Sequence, residues 1–393
     1  MSKTPRRRSA ALTILSTALV LALAGPAAAV TGTPSATAAA AAAAHGTTGV
    51  PVPAPTVHRP VGTSSAHLVD PSRTEPWRPD GTAARELMVT FWYPAVRAHG
   101  PRPPYLSPEL SEIFYRTTEP STVRVNAVTG ARPAPGRHPL VLLSPGYGMS
   151  RTSLTALGEE LAARGYAVAA VDHTHETWVQ FPDGRVEGCL SCGHENEPDF
   201  GERSSRIRAA DLRFVLDRIT APGGGPVRGL TVDASRVAAA GHSLGGAGSL
   251  EAMRQDPRIK AAANLDGTVF IPPGDAGGRP VLLFSAALGG SEAATRNWED
   301  TWSPLTGPRY WVDLPAAGHL SFSDSHWVVD DLGLRDRYTP QELLEAFGTA
   351  AGDRALAATR AYLGAFLDRH LRGRAAPLLD RPSPAFPEVR FAK

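Results

Sequence analysis

Cysteine is almost absent from this 393-residue chain, which holds two, Cys189 and Cys192. That excludes a small domain built on a disulfide framework and leaves too few thiol ligands for a structural zinc site. Charge of either sign is not in excess: the formal net charge is +2, so nothing points to nucleic acid. No apolar run after the N-terminus is long enough to cross a membrane, and no internal repeat is present. What remains, 42% hydrophobic and 20% charged residues, is the composition of a globular protein.

The first residues read as an export signal rather than as structure. Lys3, Arg6, Arg7 and Arg8 form a basic start, residues 10–24 are apolar, and Ala27-Ala-Ala29 offers a small-residue cleavage site. The apolar run is too short for a comfortable membrane span. Arg6-Arg7-Arg8 permits twin-arginine export, but Ser9-Ala10-Ala11 fits that signal loosely, so the Sec and twin-arginine routes both stay open. Without residues 1–29, which carry those four basic groups and no acidic one, the +2 formal charge becomes −2. Secretion without a lipid anchor is expected, because no cysteine lies near the cleavage site.

Residues 30–58 read as an Ala/Thr/Pro-rich spacer, with alanine throughout 38–44. Order is expected to begin near Pro60, with a catalytic domain over 59–373 and a Pro-rich tail over 374–393. Within the domain, strands are expected at 85–93, 123–128, 140–143, 167–171, 237–240, 259–265, 281–285 and 310–314. Helices are expected at 108–117, 153–164, 205–219 and 353–371. Continuous apolar strands alternating with helices predict an α/β fold with a mostly parallel sheet covered on both faces.

The chemistry centres on Gly241-His-Ser-Leu-Gly245. This G-x-S-x-G run follows an apolar strand and opens a helix, the context of a nucleophile elbow. Glycine at both ends lets strand and helix approach closely, and the turn presents Ser243 beside the free N–H groups of a helix start. A serine needs a base. Of His319, His326 and His370, the first lies in a small-residue loop after the last strand, at the carboxyl edge where ligands gather. Between serine and histidine the acid candidates are Glu251, Asp256, Asp266, Asp275, Glu292, Glu299, Asp300 and Asp313. The strand at 281–285 is followed by Ala286-Ala-Leu-Gly-Gly290, without a carboxylate, whereas Asp266 stands at the tip of the strand before it. Asp266 is therefore the expected partner of His319. The N–H groups of Leu244 and of Tyr147, in Ser144-Pro-Gly-Tyr-Gly148, are the expected oxyanion donors.

These residues resemble the platelet-activating-factor acetylhydrolase group of α/β hydrolases, lipase-like esterases. The likeness spans roughly 85–372 and rests on residues 85–94, 139–148, 167–173, Gly241-His-Ser-Leu-Gly-Gly246, Asn264-Leu-Asp266 and Gly318-His-Leu-Ser-Phe-Ser-Asp324. It implies Ser243, Asp266 and His319 as the triad and Tyr147 and Leu244 as oxyanion donors. One departure is Pro145, where that group often has histidine. Secreted cutinase-like polyester hydrolases are also similar, at Ser144-Pro-Gly146 and residues 243–252, but usually carry the acid one strand later.

The resulting expectation is a monomeric secreted esterase for short-chain acyl or acetyl-phospholipid esters, touching a lipid interface transiently and using neither cofactor nor metal. The alternatives are a polyester hydrolase, a peptidase, or a binding protein on the same scaffold. Cys189 and Cys192 are expected to pair in an exported protein, a redox pair or half a metal site being the other readings. Asp172-His-Thr-His175 has the look of a metal pair, but the resemblance implies that a strand-end Asp-His need not bind metal. Trp178, Phe181, His326 and Trp327 are candidates for the pocket wall.

Overall fold

The expected alternation builds one sheet. A computed structural model describes residues 50–78, 80–115, 122–222, 225–286 and 292–393; the expected signal and most of the expected spacer lie outside them. The strands are β1 (Val61–Thr74), β2 (Ala84–Pro94), β3 (Val128–Thr129), β4 (Arg137–Ser144), β5 (Ala167–Asp172), β6 (Val179–Gln180), β7 (Val186–Glu187), β8 (Thr231–His242), β9 (Ile259–Leu265), β10 (Val281–Ala286), β11 (Arg309–Leu314) and β12 (Arg390–Phe391). Ten of them form the sheet, in the order β12-β11-β10-β9-β8-β4-β5-β2-β1-β3, while β6 and β7 pair apart as a small hairpin. From β5 to β11 neighbours run parallel; β2 and β12 join antiparallel on the two flanks.

Strand β4 shows why its sequence is a continuous apolar run. Val141 and Leu143 pack on one face, with Leu161 of α2 (Thr155–Ala163) and Tyr362 and Phe366 of α8 (Gly352–Arg372). Leu140 and Leu142 pack on the other. Their partners there are Leu212 and Val215 of α3 (Phe200–Thr220), Leu250 and Met253 of α4 (Leu244–Gln255), and Trp298 of α5 (Glu292–Trp302). Both faces of the strand are core, so no polar alternation survives. The remaining helices are α1 (Pro108–Tyr115), α6 (Ser325–Asp331) and α7 (Pro340–Phe347).

The folded unit is longer at both ends than residues 59–373. Val52 is fully buried and donates its N–H to the Arg124 carbonyl, the Arg124 N–H donates to the Val50 carbonyl, and Glu160 accepts from the Thr56 N–H and hydroxyl at 2.6 Å each. The Arg360 guanidinium donates to the carbonyls of Pro53 and Ala54 at 2.8 and 3.0 Å. At the other end Leu379 and Val389 are buried in the main core and β12 extends the sheet. Residues 123–128, expected as a strand, make only an isolated bridge, Pro51 to Arg124, and the short β3. The long strand β1 was not anticipated: Gly, Ser and Asp in Val-Gly-Thr-Ser-Ser-Ala-His-Leu-Val-Asp mask its period, and pairing with β2 along its length holds it.

Register decides what meets at the carboxyl edge. Ser144 of β4 lies opposite Gly241 of β8, and His242 lies opposite Leu265 of β9. Residues 144–148, Ser243 and Asp266 therefore leave three adjacent strand tips side by side.

Candidate active site

Ser243 stands between β8 and α4 with φ 55° and ψ −129°, a conformation that an L-residue holds only when its surroundings impose it. Those surroundings are glycines. A Cβ on Gly245 would lie 2.0 Å from the Ser144 carbonyl oxygen, one on Gly241 2.3 Å from the Gly245 backbone, and one on Gly246 2.0 Å from Asn264 Oδ1. Asn264 in turn ties the turn after β9, accepting from the Gly267 N–H and donating to the Gly267 carbonyl, both at 2.8 Å. The Ser243 N–H donates to the Leu265 carbonyl at 2.8 Å, stitching the elbow to the strand that ends in the acid.

The three side chains form one hydrogen-bonded line. His319 Nε2 is 3.0 Å from Ser243 Oγ, and His319 Nδ1 is 2.6 Å from Asp266 Oδ2. The other oxygen, Asp266 Oδ1, accepts the Ala286 N–H at 2.8 Å, which fixes the carboxylate plane. An ionised carboxylate only accepts, so His319 Nδ1 carries the proton and Nε2 is free to accept from the serine. The imidazole keeps 37% of its surface exposed, so water can reach it.

Other carboxylates weighed for the acid role are engaged elsewhere. Glu251 pairs with Arg254, Asp256 with Arg258, and Glu299 with Lys393. Asp313, two strands over in β11, accepts from Ser285 and from the Trp311 indole. His370 meets the Tyr310 hydroxyl, far along the chain from the elbow.

Leu244 is the first residue of α4, so its N–H has no partner within the helix. In the facing loop the Gly148 N–H donates to the Glu176 carbonyl at 3.0 Å and the Met149 N–H to the Gly146 carbonyl at 3.2 Å. No acceptor among the described residues takes the Tyr147 N–H just before them. The loop touches the elbow directly, through the Ser144 carbonyl. The Leu244 N–H directly follows Ser243, and the Tyr147 N–H lies in the loop that meets the elbow.

His242, quoted within the motif but not singled out, has a role of its own. It is buried, and its Nε2 donates to the backbone carbonyl of His319 at 2.8 Å with the two rings 4.7 Å apart. Burial, with His319 beside it, holds its pKa well below the ordinary histidine value, so it stays neutral.

An aromatic cleft opens beside Tyr147 and Leu320, walled by Tyr105, Phe114, Tyr115, Trp178, Tyr338 and Phe347. Of the residues expected there, Trp178 lines it and three do not. Helix periodicity explains two: α6 turns Ser325, Val328 and Val329 to the cleft, so His326 and Trp327 face away. His326 packs on the Phe347 ring at 4.4 Å, and Trp327 packs against the cluster that contains Val52, Leu110 and Leu356. Phe181 folds under the β6–β7 hairpin onto Met88 and Val179. The cleft tyrosines come from segments whose approach no local pattern announces. Cys189 and Cys192 are paired as a disulfide on the cleft wall, and Ser191 between them lies 3.0 Å from the Tyr147 hydroxyl. The Asp172–His175 stretch is occupied by protein partners: Asp172 by Arg151, His173 by Ser144 and Asp211, His175 by the Gly188 carbonyl.

Comparison with known proteins places similar chains among esterases. Residues 100–268 match the family described as PETase, PET hydrolase-like. A probable 1-alkyl-2-acetylglycerophosphocholine esterase of Arthroderma benhamiae is 29% identical over 64% of this chain and 66% of its own length. Cutinase est1 of Thermobifida alba is 34% identical over 32% of this chain and 33% of its own. The chain thus spans two thirds or less of these curated relatives. A solved structure of a ferulic acid esterase from Streptomyces cinnamoneus is 51% identical and superposes with a TM-score of 0.82, covering 88% of this chain and all of that one. With half its residues shared along the whole of that esterase, on the same sheet, the chain belongs to the α/β-hydrolase esterases, the family of the acetylhydrolases and cutinases.

Proposed function

We propose that the protein is an exported serine esterase that hydrolyses carboxylic esters through an acyl-enzyme on Ser243. The observation that carries this reading is the line from Ser243 Oγ to His319 Nε2 at 3.0 Å and from His319 Nδ1 to Asp266 Oδ2 at 2.6 Å. His319 takes the hydroxyl proton as Ser243 Oγ bonds to the acyl carbon. The carbonyl oxygen becomes an oxyanion facing the N–H groups of Leu244 and Tyr147. His319 then gives its proton to the leaving alkoxide and the alcohol departs. A water attacks the acyl-enzyme with His319 again as base, which releases the acid and restores Ser243.

For the acyl group, the acetylhydrolase and cutinase relatives support a short-chain or acetyl-phospholipid ester, with polyester as the alternative. The cleft favours a second reading. Six aromatic side chains beside Tyr147 present flat apolar faces suited to an aromatic acyl group, and the ferulic acid esterase neighbour points the same way. The test is a panel of methyl ferulate, p-nitrophenyl esters from acetate to dodecanoate, a 2-acetyl phospholipid and an aliphatic polyester film. Ser243→Ala should lower turnover of every accepted ester at least ~10³-fold with the fold intact; a variant that keeps its rate refutes the nucleophile. Preference for ferulate over p-nitrophenyl acetate in kcat/KM would select the aromatic reading, and the reverse order the acetyl one.

A further inference from the structure

Beneath the 144–148 loop lies a second line of serine, histidine and aspartate, sealed from solvent. Ser144 Oγ is 2.8 Å from His173 Nε2, and His173 Nδ1 is 2.9 Å from Asp211 Oδ2. Arg85 closes the line: it donates to both Asp211 oxygens at 2.6 and 3.1 Å, to Glu75 at 2.8 Å and to the Thr174 carbonyl at 2.7 Å. Beside it Arg208 donates to Glu176 at 2.7 Å and to the Pro145 carbonyl at 2.5 Å. Ser144 and the charged side chains are at most 3% exposed, so Ser144 meets no substrate and this is not a second active site.

The chemistry orients every bond. Asp211, ionised beside Arg85, only accepts, so His173 Nδ1 carries the proton. Nε2 then accepts, and the Ser144 hydroxyl donates to it. Burial, with Arg208 and Arg85 nearby, pushes His173 down to about 4, so the ring keeps this neutral form at working pH. Three carboxylates, the buried Arg85 and Arg208, and Arg73 reaching Asp211 from the rim at 2.9 Å are weak machinery for stability, since buried ions are costly to desolvate and apolar packing would serve as well. Its contacts converge on one object. Ser144 is held by His173, Pro145 by Arg208, and Gly148 by the Glu176 carbonyl that receives its N–H.

We propose that this network is positioning machinery for the oxyanion hole. It pins the loop on either side of Tyr147 so that the Tyr147 N–H meets the developing negative charge above Ser243. The inference rests on the reading of Ser243 as nucleophile. Ser144, His173, Asp211, Arg208 and Glu176 are positioning residues, and none touches the reacting atoms. An amide displaced by a fraction of an ångström still lets substrate bind but loses hold of the transition state.

Two variants test this in the full chain. Ser144→Ala removes the His173 bond without new bulk. Arg208→Met combined with Glu176→Gln frees the Pro145 carbonyl without leaving a charge unpaired. Each should lower kcat for p-nitrophenyl acetate about 10–100-fold, with KM within about twofold of wild type. Affinity for an alkyl trifluoromethyl ketone, which adds to serine as a tetrahedral oxyanion, should fall by the same factor. Near-ultraviolet circular dichroism confirms the fold, and if the double variant does not fold, Ser144→Ala decides. A folded variant with wild-type kcat overturns the inference, as does one whose kcat falls while ketone affinity is unchanged. A wild-type protein that neither turns over esters nor binds the ketone sinks the nucleophile reading and this one together.

Discussion

Ser243 and Asp266 both hold positive φ, 55° and 57°, at the tips of neighbouring strands. Such conformations cost about 1–3 kcal/mol each and persist only where the surroundings impose them. For Ser243 the compensation is the Leu265 carbonyl bond and the glycine packing; for Asp266 it is the backbone bond to Phe284 at 2.8 Å. The strain aims one side chain at each nitrogen of His319. Asp266→Asn keeps the shape but offers an amide that can turn its N–H₂ to the ring and impose the wrong tautomer. By analogy with the triad aspartate of serine proteases, kcat should fall about 10⁴-fold with stability nearly unchanged, measured by steady-state kinetics beside thermal melting. An unaffected rate would move the acid elsewhere. His242 acts one step further out, through the bond from its Nε2 to the His319 carbonyl. His242→Phe should keep the ring packing but free that carbonyl, lowering kcat roughly tenfold while KM stays put; a changed KM alone would assign His242 to the pocket instead.

Helix α6 shows how a single element divides its labour. One side supplies cleft wall, and the other seats His326 against Phe347 with Nε2 unpartnered. Burial, with Arg335 nearby, pushes His326 down to about 4. The unfolded chain protonates near about 6.5, so between these values it binds a proton that the native ring does not. The stability from this group is whole above about pH 6.5 and drains away as pH falls towards 4. In His326→Leu that term is gone, and the slope of unfolding free energy against pH should be shallower by about 1 kcal/mol per pH unit across this window. Urea titrations at pH 4.5, 5.5, 6.5 and 8 measure it; parallel curves for both proteins would show that the histidine titrates in the fold as it does in the unfolded chain. The 189–192 disulfide closes too small a ring to contribute more than about 2 kcal/mol. Its place on the cleft wall beside Tyr147 makes shaping of the cleft its larger effect.

In the whole molecule residues 50–58 and 374–393 are part of the fabric. The tail beyond Gly373 brings Ala376, Leu379 and Val389 into the main core, pairs β12 with β11, and joins Asp380 to Arg369 at 2.6 Å. Ending the chain at Gly373 should destabilise it by about 3–6 kcal/mol, the worth of two or so buried aliphatic side chains, with the urea midpoint as readout. Activity of the folded fraction should persist, because none of these residues approaches the 144–148 loop, the elbow or His319. A truncated chain as stable as the parent would show that the tail merely lies on the surface. The N-terminal docking of residues 50–58 on Glu160 and Arg360 belongs with it.

Local pattern alone reached the parallel sheet, the elbow and the pairing of Asp266 with His319. Each rests on a short-range cause: apolar runs buried on both faces, glycines where only backbone fits, a carboxylate at one strand tip and none after the next. Strand β1 escaped because cross-strand pairing, not its own composition, makes it a strand. Phe181, His326 and Trp327 were misplaced because facing depends on helix phase and on which neighbour arrives. The network under the 144–148 loop draws Arg85, His173, Glu176, Arg208 and Asp211 from three separate segments, and no spacing in the chain records that they meet. Bonds between residues near in sequence leave a motif. Those between distant segments exist once the sheet has brought its strand tips together.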